Sequence, residues 1–154
     1  MLTGGWILIS GLILTMAVRS LEWLLPVWAW LGVGFSTAQT PIGRVLTRSS
    51  HAEDRPALFA AQFSLSHAGW LVAYPLAGWL GSTAGMTVTL LVLLGLALGG
   101  LILALKLWPS LDPSERWHNH VDLPGDHPHV ANASNSGVHR HNYVIDSLHP
   151  KWPD

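Results

Sequence analysis

An all-α membrane protein, with four transmembrane helices in two hairpins and a disordered histidine-rich C-terminal tail, is the fold class predicted by three features of the 154-residue chain. It is 49% hydrophobic and only 11% charged. Its ionised residues are spaced so that long runs carry none. And seven of its nine histidines follow Trp108, where the apolar runs have ended. Cysteine is absent, which removes thiolate metal sites, redox pairs and cysteine nucleophiles. A formal charge of −1 with scattered Lys and Arg supplies no field for nucleic acid, and none is expected as a partner.

The charge-free runs set the helices, because an ionised side chain at mid-bilayer costs at least about 2.5 kcal/mol and a crossing needs about 20 apolar residues. Leu2 to Val18 is the first run, closed by Arg19. The polar connection Arg19-Ser20-Leu21-Glu22 leads straight into the second, so the two form a hairpin. From Pro56 to Leu105 there is no Asp, Glu, Lys or Arg. That is too long for one crossing, and Gly81-Ser82-Thr83-Ala84-Gly85 is the expected turn of a second hairpin. The predicted spans are 2–18, 23–46, 56–80 and 86–107, making 1–108 the membrane region and 109–154 the tail. A cleaved signal peptide is rejected for the first run, which has no basic segment before it and no small-residue cleavage site after it. Arg44, Arg48, Arg55 and Lys106 outweigh Arg19, so the positive-inside rule puts both termini in the cytoplasm. Trp6, Trp23, Trp28, Trp30, Trp79 and Trp108 lie mostly near span ends, where an indole anchors at the interface.

The third span carries small residues at helical spacing. On a wheel Gln62, Ser66, Gly69, Ala73 and Ala77 form one stripe that Gly81 continues, and in lipid such a stripe is expected to face another helix. Gly34, Ala38, Gly95 and Gly99 are read as packing residues in the same way. His67 is the one residue deep in a span that could change charge near neutral pH, and it lies beside Tyr74. Two readings stand: a neutral histidine bonded to a neighbouring Ser or backbone carbonyl, or a substrate-pathway residue together with Tyr74, Gln39 and Gln62. No P-loop, G-x-S-x-G or H-E-x-x-H motif and no paired intramembrane carboxylates occur, so no enzymatic activity is expected.

In the segments Thr40-Pro41-Ile42-Gly43-Arg44, Arg55-Pro56-Ala57-Leu58-Phe59-Ala60-Ala61-Gln62 through Gly69, and Tyr74-Pro75-Leu76-Ala77-Gly78-Trp79-Leu80-Gly81, the sequence resembles the major facilitator superfamily. Residues 1–108 look like that family's last four helices, with 43–56 similar to the cytoplasmic connection between its tenth and eleventh helices. The resemblance implies a secondary transporter moving a small solute or divalent cation. A full member has twelve helices in two halves with the substrate site between them, so the chain is expected to be a fragment or to start at a misplaced Met1, and its partners to be the lipid bilayer and the missing helices or other copies of itself. The expected location is integral to the inner membrane of a bacterium.

Beyond Leu107 the prolines 109, 113, 124 and 128 and the Asn132–Gly137 stretch predict a flexible tail without a core. Three H-x-H pairs stand in it: His118 and His120, His127 and His129, His139 and His141. His149 follows, with Asp122, Asp126 and Asp146 among them. Imidazoles with carboxylates suit Zn, Ni, Cu or Co, with Ni, Zn or Co the expected ions, and two His separated by one residue can reach one ion from an extended segment. The Asn132-Ala133-Ser134 sequon is expected to be idle on the cytoplasmic side. Some major facilitator members linked to nickel or other divalent-metal export carry histidine-rich cytoplasmic C-termini, and the ending Tyr143-Val144-Ile145-Asp146-Ser147-Leu148-His149-Pro150-Lys151-Trp152-Pro153 is similar to such a tail. The rival expectation is a small four-helix accessory or assembly protein that binds metal through the tail. An intramembrane enzyme using His67 and the tail histidines is a distant third.

Overall fold

The computed structural model describes residues 1–108, 113–120, 123–124, 127–130 and 138–152. Four helices come first: α1 Leu2–Ala17, α2 Leu21–Arg48, α3 Arg55–Thr83 and α4 Gly85–Leu107. A two-stranded antiparallel hairpin follows, formed by β1 Glu115–Asn119 and β2 Val138–Asn142. The helix ends fall where charges, turn residues and a glycine interrupt the apolar runs. Between α3 and α4 only Ala84 intervenes, and the chain reverses at Gly85, whose φ of 85° is open to a residue without a Cβ.

α1 is the most embedded helix, packing on α2 and also on α4, while α3 leans on α4 and touches α2 lightly. Glycine makes the α1/α2 approach possible. A Cβ on Gly4 would stand 2.6 Å from the Gly34 carbonyl oxygen and nearer still to the Ala38 nitrogen, and one on Gly34 would stand 3.0 Å from the Leu8 nitrogen. The Trp30 indole N–H donates to Ser10 Oγ across the same seam at 2.9 Å. Gly34 and Ala38 therefore pack as their spacing implies. Gly95 and Gly99 do not, since a Cβ there would meet nothing within 4 Å.

The four helices differ in membrane-spanning character. Among the described residues one helix, α4, is long and apolar enough to cross a membrane; α1 is apolar but has 16 residues. α2 and α3 are long, at 28 and 29 residues, yet their apolar character is diluted. α2 carries Glu22, Arg44, Arg48 and two prolines, and α3 carries Gln62, Ser64, Ser66 and His67.

The tail departs from expectation more sharply. In place of a structureless segment, β1 and β2 pair with His118 opposite His139 and Arg116 opposite His141. Val130 and Tyr143 are buried, as are His139 and His149. The composition argument failed because it looked for an aliphatic core, whereas this small unit is filled mainly by imidazoles, with one phenol and Val130.

Candidate metal centre

Strand periodicity builds the site. Successive side chains alternate between the two faces of a strand, so residues two apart share a face. On β1 and just past it, Arg116, His118 and His120 are half-buried while Glu115, Trp117 and Asn119 are exposed. Cross-strand pairing sets His139 and His141 on the same face as His118. The opposite face is held by solvent-side contacts, with Arg140 Nε 3.0 Å from Glu115 Oε2 and its guanidinium over the Trp117 ring.

Two further segments close over the histidine face. In the turn 127–130, the Val130 N–H donates to the His127 carbonyl and the His129 N–H to His127 Nδ1, which brings the His129 ring in. From the segment after β2 comes His149, 2% exposed. It is anchored by Asp146, whose Oδ1 accepts from the backbone N–H groups of Leu148 and His149 and from His149 Nδ1, each at 2.9 Å. Tyr143 floors the site, 4.7 Å from the His149 ring and 5.1 Å from His118, with its hydroxyl donating to the Lys151 carbonyl.

Six imidazoles thus converge. Their ligand nitrogens form two overlapping groups, His118, His120, His129 and His139, and His118, His129, His141 and His149, each with all atoms within 4.8 Å of one another, a spacing that could hold a metal ion. Of the seven tail histidines named from the sequence, His127 belongs to neither group; it positions His129 instead. Asp146 supports a ligand from behind. Asp122, Asp126 and the sequon lie outside the described residues.

The tautomers fit a cation. Carbonyl and carboxylate oxygens only accept, so the Nδ1 atoms of His118, His141 and His149, facing Arg116 O, Asn142 O and Asp146 Oδ1, carry the protons. Their Nε2 lone pairs then point inward. His149 Nε2 lies 2.9 Å from His118 Nε2 and 3.2 Å from His120 Nε2, and His141 Nε2 lies 3.2 Å from His129 Nε2. Between His118 and His149 two lone pairs face each other and repel. One divalent ion would reconcile that pair and take the neighbouring His120, His129 and His141 nitrogens as well, oriented by the outer hydrogen bonds.

Electrostatics favour the neutral, metal-competent form of His118, His120 and His129. Burial, with the mutual repulsion of the ring charges, lowers His118 and His129 to about 4, against a partial offset at His118 from the Arg116 carbonyl. His120 is lowered for the same first reason. Burial works to raise Asp146, but the His149 ring and the two backbone N–H groups outweigh it and hold the carboxyl below its usual range. Burial, then Asp146, raises Tyr143, so its hydroxyl stays protonated.

The membrane-region candidates do not assemble comparably. His67 Nδ1 lies 2.8 Å from the Phe63 carbonyl one turn earlier, and its ring lies between Phe63 and Trp70. Tyr74 is 70% exposed; Gln39 and Gln62 are half-buried on separate helices. Along the α3 stripe Ser66, Ala73, Ala77 and Gly81 are half-covered, but a Cβ on Gly69 would meet nothing within 4 Å.

No protein-family model, no curated protein and no solved structure matches the chain.

Proposed function

We propose that this chain is the C-terminal part of a secondary transporter of the major facilitator kind, handling a divalent first-row metal cation, with the histidine cage as its cytoplasmic metal-binding module. The observation that carries the reading is the convergence of imidazoles from four separate stretches of chain onto one point. Neutral nitrogen ligands of this kind suit Ni, Co or Zn rather than Mg or Ca. The helices support the transport half. Trp23, Leu65, Leu71 and Tyr74 are each at least 70% exposed, an apolar surface suited to lipid, to further transporter helices or to another copy. On this reading the helices sit in a bacterial inner membrane with both termini in the cytoplasm, and no catalytic step belongs to the chain.

A second reading shares the cage and drops the transport: a small membrane accessory protein that holds metal. Equilibrium dialysis of the purified full chain against micromolar Ni and Zn tests what the two share. Uptake that falls about 100-fold or more in affinity in a His118→Ala/His129→Ala variant is expected, since metal sites lose 10- to 100-fold from outer-sphere changes alone. Absence of uptake by the unaltered chain ends both readings. Metal accumulation in cells producing the chain with its upstream reading frame separates them: lowered accumulation supports export, and unchanged accumulation favours the accessory protein.

A further inference from the structure

The geometry points to a single six-coordinate site, in which all six imidazoles bind one ion and select a metal that favours an octahedral shell, Ni(II) or Co(II), over Zn(II). This rests on the metal-binding reading above and adds the coordination number and the ion class.

The ring centres define the polyhedron. His120, His139, His141 and His149 form a closed square, with sides of 5.3, 5.2, 5.1 and 4.9 Å taken in order around it. His118 lies over one side, 5.1, 4.5, 4.7 and 4.8 Å from those four rings. His129 lies over the other, at 4.8, 4.9, 4.8 and 4.9 Å. The two poles are 6.3 Å apart. An ion about 2.1 Å from each nitrogen places ring centres about 3.3 Å away, so octahedral neighbours stand about 4.6 Å apart and opposites about 6.6 Å. The observed spacings follow that pattern.

A tetrahedral site accounts for them poorly. Each group of four contains both His118 and His129, the widest pair, and a tetrahedron has no wide pair. Any four ligands also leave two imidazoles at equal range with nothing to bind. Adjacent ligand nitrogens about 2.1 Å from the ion lie about 3.0 Å apart in an octahedron and about 3.4 Å apart in a tetrahedron, so the shortest pair, His118 with His149, favours the former. The three Nε2 pairs stand at 2.9, 3.2 and 3.2 Å, each between neighbours on the polyhedron. Zn(II) has no d-electron preference for six ligands and settles at four, whereas the partly filled shells of Ni(II) and Co(II) are stabilised by six nitrogen donors. With every position taken by protein, no site is left for a reacting water.

The test uses the full chain in detergent, stripped with a chelator and titrated with Co(II) as a spectroscopic probe. Expected are one equivalent bound, the weak visible bands of six-coordinate Co(II), displacement by Ni(II) in preference to Zn(II), and at least a tenfold loss of affinity on changing any one of the six histidines to Ala. Intense blue bands, two equivalents, preferential displacement by Zn(II), or two silent histidines would overturn the six-coordinate site while leaving metal binding intact. No uptake at all overturns both. The spectrum of the unaltered chain decides the coordination number even if the Ala variants fail to fold.

Discussion

His118 and His149 aim their Nε2 atoms at each other across 2.9 Å while their Nδ1 atoms are committed to Arg116 O and Asp146. Protonating His118 or His129 means charging a partly desolvated imidazole among other imidazoles, which is why both sit near 4 rather than 6.5. A depressed folded-state pKa means the unfolded chain binds protons first. The stability these histidines lend is therefore complete above about 6.5 and drains away as pH falls toward about 4. Without metal, the hairpin should open across that interval, followed by Trp117 and Trp152 fluorescence; an unfolding midpoint that ignores pH between 7 and 4 would contradict the burial of these rings.

At the level of elements, one face of a β-ribbon is stocked with ligands while the helices meet through glycine. Gly4 marks the tightest helix contact, so Gly4→Val should overpack the α1/α2 seam at a cost of about 1–3 kcal/mol, read as a lowered unfolding midpoint in detergent. Gly69→Ala, on an open face in the middle of α3, should not lower that midpoint. The helices were legible in the sequence because charges at Arg19, Glu22, Arg44, Arg55 and Lys106 bracket them. The H-x-H spacing likewise announced the ligands, since residues two apart share a strand face. What sequence could not show was the strands themselves. Glu-Arg-Trp-His-Asn and Val-His-Arg-His-Asn put Arg and His, not aliphatic residues, on the face that turns inward, so the usual period-two signal of apolar with polar is missing. Nor could it show that His127, spaced like a ligand, spends its ring on the turn that delivers His129.

At the scale of the whole molecule, the described residues join helices and cage at the end of α2. The Trp152 ring lies 4.7 Å from the Arg48 guanidinium at the end of α2 and 5.3 Å from that of Arg116 on β1. Such cation–π contacts are worth about 0.5–1 kcal/mol each at exposed sites, enough to seat the hairpin but not to weld it. The exposed Trp23, Leu65, Leu71 and Tyr74 keep the opposite demand on the helices, which bury little of their apolar surface against one another.

The junction also contains one backbone bond, from the Ile145 N–H to the Arg48 carbonyl at 2.9 Å. A helix's last carbonyls have no partner within the helix, and here the tail caps one of them. Fraying of α2 and release of the segment that carries His149 are therefore one opening, not two. The Ile145 amide becomes a clock for it: deuterium should enter there quickly in the metal-free chain and many times more slowly once an ion holds His149. Equal exchange in the two states would mean that the end of the helix does not feel the metal.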